Sequence, residues 1–184
     1  MTTDTGMRTA RVTADHLTAD EVTAEHTVLG TRLGELTIVR DGGLVSGLYY
    51  PHHWYKPSPA SFGPRTSQGF ADGTRQLGEY LDGTRTQFDL PLGARGTAFQ
   101  RRVWALLAEI PYGQTTTYGD LSRRLDGDAN ARDVGGAVGR NPLSILIPCH
   151  RVVGSTGKLT GYAGGLARKR ALLDLERTGA PGLW

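Results

Sequence analysis

The chain has 184 residues, 21% of them charged and 38% hydrophobic, room for one medium domain or two small units sharing a core. No apolar run reaches the roughly 20 residues needed to cross a bilayer, the opening "MTTDTGMRTARVTADHLTADEVTAEH" lacks the apolar stretch of a signal peptide, and one cysteine, Cys149, excludes an internal disulfide. The net charge of +3 is uneven: Met1 to Gly96 holds 9 Lys and Arg against 11 Asp and Glu, whereas Thr97 to Trp184 holds 12 against 7, so the half containing Cys149 is the basic one. These features predict a cytoplasmic protein away from membranes, and the basic half suits a polyanionic partner.

Residues 1–22, rich in Thr, Asp and Ala without periodicity, read as a mobile tail. "ELTIVR" and "LVSGLYY" flank Asp41-Gly42-Gly43, a turn signal between β-rich runs, and predict a hairpin. "HHWYKPSPASFGPR" has three prolines and reads as a loop, in which adjacent His52 and His53 are expected at the surface rather than as ligands. Five histidines and one cysteine show no zinc spacing, so neither a metal nor a cofactor is expected. Phe70, Leu77 and Leu81 at helical spacing predict a helix, and alternation of Phe88, Leu90 and Leu92 in "TQFDLPL" predicts a strand. Residues 23–95 therefore read as a small α/β unit.

The remainder, 96–184, reads as mainly helical. Thr97 and Gln100 form a capping box, after which Phe99, Val103, Leu106, Leu107 and Ile110 share one helical face until "PYG" stops the helix. A short helix with Tyr118, Leu121 and Leu125 on one side follows, ending at Asp126-Gly127, and Asn130 caps a third helix starting at Ala131. Two short helices around a tight turn fit either a helix-turn-helix or a plain helical hairpin. Gly135, Gly136 and Gly139 inside the third helix each cost about 1 kcal/mol relative to alanine. Such a loss suits close approach by a neighbouring helix or by a nucleic-acid backbone. Arg132 sits in the first turn, against the helix dipole, as a residue with an external role would.

"LSILI" then leads as a buried, strand-like segment into Pro148, Cys149 and His150. A free thiol, with a pKa of about 8.5, needs a base or a cation to act as a nucleophile at neutral pH. Neighbouring side chains on a strand diverge, so contact between Cys149 and His150 requires the bend that Pro148 and the Asn141-Pro142 turn signal allow. Otherwise Cys149 is a packed core residue. Glu176 follows Leu172 by four positions, close to the apolar stripe of the last helix. There it either meets a partner such as His150, completing a Cys-His-Glu relay, or frays at the helix end.

"IPYGQTTTYGDL", "IPCHRVV" and "GYAGGLARKRALLDLE" together resemble the O6-alkylguanine-DNA alkyltransferase family of direct-reversal repair proteins. The match is close from Gly96 to Glu176 and coarse before it. The resemblance implies a ribonuclease-H-like α/β domain followed by a winged-helix-like domain carrying the helix-turn-helix and the reactive cysteine. It implies that Cys149 accepts the alkyl group, that His150 takes its proton through a water, that Glu176 orients His150, and that Asn141 braces the turn. Arg132 would enter duplex DNA from the minor groove, with Ala131, Gly135 and Ser155 also at the DNA surface. Tyr118 would crowd a phosphate and donate to the leaving guanine. Carbonyls at Cys149 and Val152 would accept from the guanine amine, and amides near Tyr162 and Ala163 would face its oxygen. The implied partner is double-stranded DNA containing alkylated guanine, with alkylated thymine as a second candidate, met by a monomer able to assemble cooperatively on DNA.

The chain departs from the family in places. Ala163 replaces a serine found in some relatives, the cysteines that bind zinc in others are absent, and the segment before about Glu25 is extra. Two other readings compete. A cysteine hydrolase would place its histidine far from the thiol, and the papain-type and caspase-type surroundings are missing. A non-catalytic helix-turn-helix regulator would have no use for the thiol.

Overall fold

The computed structural model describes residues 24–125 and 129–180. The segment 1–22 and the Asp126-Gly127 helix end lie outside the described residues. Three strands, β1 (Glu25–Thr31), β2 (Gly34–Asp41) and β3 (Leu44–Tyr49), form an antiparallel sheet in that order. The hairpin predicted between β2 and β3 is present. Gly42 and Gly43 both take positive φ, 56° and 83°, the left-handed pair that a two-residue hairpin turn demands.

The segment with Phe88, Leu90 and Leu92 is not a strand, contrary to its alternation. Pro91 has no N–H to give a ladder, and Asp89 is bound through both backbone groups by the Gln76 side chain. Only an isolated bridge between Val45 and Leu92 remains, with Val45 N donating to Pro91 O at 2.8 Å and Gly93 N to Val45 O at 2.9 Å. Further along the same strand, Leu48 N donates to Pro142 O at 2.8 Å. Two irregular segments thus cover the free edge of β3, and one of them leads to Cys149.

The predicted helices are present. Helix α1 (Ala71–Leu81) lies in the first half. Helix α2 (Ala98–Ala108) begins with both bonds of the Thr97/Gln100 capping box. The two-residue strand β4 (Thr116–Thr117) leads into α3 (Tyr118–Arg124), and Asn130 caps α4 (Ala131–Gly139) by accepting from Arg132 N and Asp133 N. Strand β5 (Val152–Val153) pairs in parallel with β4, and α5 (Leu166–Thr178) closes the described chain. One apolar core draws on the sheet (Leu36, Ile38, Leu48), on α1 (Leu77) and on the later helices (Val103, Leu107, Leu172, Leu175). Trp104, which the facial pattern of α2 omitted, is buried and donates from Nε1 to Ala137 O, locking α2 to α4. The architecture is mixed α/β. No helix among the described residues is long and apolar enough to cross a membrane.

Candidate active site around Cys149

"LSILI" is buried, as expected, but it is not strand-like. Asn141, 1% exposed, holds it as a compact turn. Its Nδ2 donates to Ile147 O at 2.8 Å and its Oδ1 accepts from Leu143 N at 3.0 Å. Leu146 N reaches back to Ser144 O, and Ile147 N to Leu143 O, both at 2.8 Å. Ile145 is left at φ 71°, an unfavourable conformation for a β-branched residue that surrounding packing must over-determine. The turn delivers Pro148 to a short 3₁₀ turn, Cys149–Arg151, rather than to a strand.

His150 is fully buried beside Glu176, with Nε2 2.8 Å from Glu176 Oε1. Arg151 grips the same carboxylate: Nε lies 2.9 Å from Oε2 and Nη2 2.8 Å from Oε1, while Nη1 donates to Ile110 O. The Tyr80 hydroxyl on α1 donates to Oε1 at 2.5 Å, and Gly113 N donates to Oε2 at 3.0 Å. Burial alone would favour the neutral acid, but the bonds and charges of His150 and Arg151 outweigh it and hold the Glu176 carboxyl well below the usual range. Burial also lowers the His150 pKa, against the pull of Glu176. A neutral imidazole beside an ionised carboxylate must carry its proton on Nε2, leaving a lone pair on Nδ1. That Nδ1 is buried and has no hydrogen-bond partner.

Cys149 is 4% exposed. Burial pushes its thiol pKa up, with the Asn141 side chain and the Lys169 charge opposing. Lys169 on α5 is itself fully buried, and its ammonium donates to Val152 O and Thr160 O, each at 2.5 Å, and to Gly161 O at 3.1 Å. Burial draws its pKa down to about 8. The thiol lies on a small cleft of about 30 Å³ walled by Trp54, Tyr118, Gly135, Gly139, Tyr162 and Ala163, among others. A weakly acidic thiol on a cleft, followed in the chain by an imidazole with an unpartnered buried nitrogen, has a candidate base on the next residue and faces whatever enters the cleft.

The profile of "6-O-methylguanine DNA methyltransferase, DNA binding domain" matches residues 98–178. The methylated-DNA--protein-cysteine methyltransferase of Mycobacterium tuberculosis is 45% identical over 149 residues, covering 81% of this chain and 90% of that protein. This chain belongs to the methylated-DNA--protein-cysteine methyltransferase family. The Haemophilus influenzae member is 39% identical over 153 residues, 83% of this chain and 86% of that one. The crystal structure of Mycobacterium tuberculosis OGT in complex with DNA superposes with a TM-score of 0.78 at 40% identity, covering 85% of this chain and 95% of that one.

Within this family chain, the expected site residues take different positions. Cys149, Tyr118, Gly135, Tyr162 and Ala163 line the cleft, and His150, Glu176 and Asn141 lie behind it. Ala131, Arg132 and Ser155 are exposed away from the cleft lining. Val152 is fully buried, and its carbonyl already accepts from Lys169, as the Cys149 carbonyl does from Val152 N; each retains a second lone pair. A methyl group on Gly135, Gly136 or Gly139 would meet only side chains, Tyr118 at 3.7 Å, Arg140 at 3.4 Å and Tyr55 at 3.8 Å. No neighbouring helix requires those glycines.

Sequence reasoning missed Tyr80, Arg151 and Lys169. Tyr80 follows Leu77 by three residues on the buried face of α1, and Arg151 is the last residue of "PCHR"; both signals were present. Among the described residues, no group of three or more His, Cys, Asp or Glu could hold a metal ion.

Proposed function

We propose that the chain repairs alkylated duplex DNA by direct reversal, moving the alkyl group from O6-alkylguanine to Cys149. The observation that carries this reading is a buried thiol lining the cleft, followed in the chain by an imidazole bonded to Glu176 whose buried Nδ1 has no hydrogen-bond partner. The damaged nucleotide leaves the stack at a cost of a few kcal/mol and enters the cleft. The Cys149 proton passes through a water to His150 Nδ1, while Glu176 stabilises the imidazolium that forms. The sulfur attacks the alkyl carbon in line as the carbon–oxygen bond breaks. Guanine leaves with a proton from the Tyr118 hydroxyl, which solvent restores. The product is a thioether that water does not cleave, so each molecule acts once. Alkylated thymine is a second candidate substrate by the same displacement.

The exposed Arg132, at the start of α4, fills the gap left by the extruded nucleotide, and Ala131, Gly135 and Ser155 approach the duplex. Gly136 and Gly139, unexplained by packing inside the protein, fit the same approach. Asn141 holds the turn that presents the thiol, Val152 and Cys149 offer carbonyls, and Tyr162 and Ala163 offer amides to the guanine edge. This assignment treats 23–95 as a ribonuclease-H-like unit and 96–184 as a winged-helix-like unit whose helix-turn-helix is α3 and α4. It places the protein in the cytoplasm, as a monomer that assembles on damaged DNA.

The test is mass spectrometry after incubation with one equivalent of duplex containing O6-methylguanine. The protein should gain one methylene unit, located on the peptide containing Cys149, and Cys149→Ser should gain none. Unmodified protein after complete reaction, or many turnovers per protein, would refute the reading.

A further inference from the structure

One wall of the thiol cleft comes from outside the region that carries the family signature. Trp54 lies in the proline-rich loop after β3, yet its indole lines the same cleft as Cys149. A methyl group on Gly161 would lie 3.9 Å from Trp54 Cζ3 and 3.7 Å from the Tyr118 hydroxyl. The two aromatic side chains therefore converge at the Gly161 end of the cleft from different parts of the chain.

Exposure alone would mean little, because single apolar residues are common on surfaces. The placement is what counts. On one side of Trp54, His53 is 6% exposed and packs edge-on against Tyr49 with ring centroids 5.2 Å apart. On the other, Tyr55 lies beneath the Arg140 guanidinium, 4.5 Å from ring centroid to Cζ, which ties the loop to the end of α4. Both neighbours are anchored, and the indole between them is held 61% exposed at the cleft. An anchored indole beside a reactive thiol offers a flat π surface to whatever enters.

We propose that Trp54 is a substrate-contacting residue, its indole forming the surface on which the extruded alkylated base stacks opposite Tyr118. The inference rests on the repair reading above and adds to it a binding contribution from the first half of the chain. Base stacking on an aromatic side chain is sequence-tolerant and is worth a roughly 5- to 150-fold change in affinity on truncation. Trp54 makes no contribution to proton transfer.

The experiment compares the parent protein, Trp54→Ala and Trp54→Phe in single-turnover methyl transfer from duplex DNA containing O6-methylguanine. Each protein's affinity for the same duplex carrying ordinary guanine is measured alongside. The second-order rate constant should fall at least about fivefold in Trp54→Ala, Trp54→Phe should recover half or more of that loss on a logarithmic scale, and affinity for undamaged duplex should stay within about twofold. A smaller fall in Trp54→Ala, a Trp54→Phe as slow as Trp54→Ala, or an equal loss on undamaged duplex would overturn the assignment. If the parent itself leaves Cys149 unmodified, it is the repair reading that fails, whatever the variants do.

Discussion

The two halves of this molecule solve burial in opposite ways. Up to about residue 95 the interior is nearly all apolar: its only buried polar side chains among the described residues are His53 and Gln76, and its ion pairs, such as Arg75 with Asp72 and Glu79, sit in water. Beyond that point Asn141, Ser144, His150, Arg151, Lys169 and Glu176 are all buried, three of them, His150, Arg151 and Glu176, in one network. Buried ions are costly to desolvate and are weak evidence for stability. Their concentration behind Cys149 argues that they serve chemistry, while the apolar half supplies the rigid body that holds them. Two buried hydroxyls of the first half cross that division: Tyr80 donates to Glu176, and Tyr50 shares a hydrogen bond with the Tyr162 hydroxyl.

The largest test of this contrast is Arg151→Met. It leaves the Glu176 carboxylate buried without its cationic partner and should cost about 3–5 kcal/mol in urea unfolding; a loss near zero would mean the network is not the stressed part of the fold. Glu176→Gln keeps the volume but offers His150 a neutral partner. Methyl transfer should slow by roughly 100-fold, the lower end for a misassigned general base, as read by single-turnover kinetics.

The acid side of the pH profile gives a smaller effect. The native His150 pKa lies below the ordinary 6.5, so the free base persists when pH falls through 6.5 and is lost only below it. Between those two values the unfolded chain binds more protons than the native one, so stability also declines on acidification there. Transfer rates should therefore stay level from pH 7.5 through 6.5 before dropping, and a midpoint at or above 6.5 would contradict the buried neutral imidazole. The smallest effect belongs to the other half. Arg75→Ala breaks two exposed pairs on α1 and should leave the unfolding midpoint unchanged within error, because water screens such pairs.

What the sequence disclosed follows the same divide between local and distant causes. Asp41-Gly42-Gly43, the Thr97/Gln100 box and the Asn130 cap are settled by residues a few positions apart, and each is present as expected. The two strands read from Phe88 to Leu92 and through "LSILI" are absent. Apolar patterning reports burial, and Leu90, Leu92 and all of "LSILI" are buried, but ladder pairing depends on partners that a local pattern does not contain. In the first, proline and the Gln76 side chain divert the backbone; in the second, Asn141 closes it into a turn. At the site, the His150–Glu176 pair was legible because an apolar-face carboxylate needs a partner. Tyr80 and Arg151 carried signals of burial or position, but neither they nor Lys169 carried one that names a partner.

The Tyr80 bond sets a lower limit on how far the chain can be trimmed. A fragment cut to the signature-bearing span would lose α1, and with it one of the donors that fix the carboxylate behind the imidazole. Anyone engineering a minimal self-labelling tag from this scaffold would have to carry that first helix along, or graft a hydroxyl in its place.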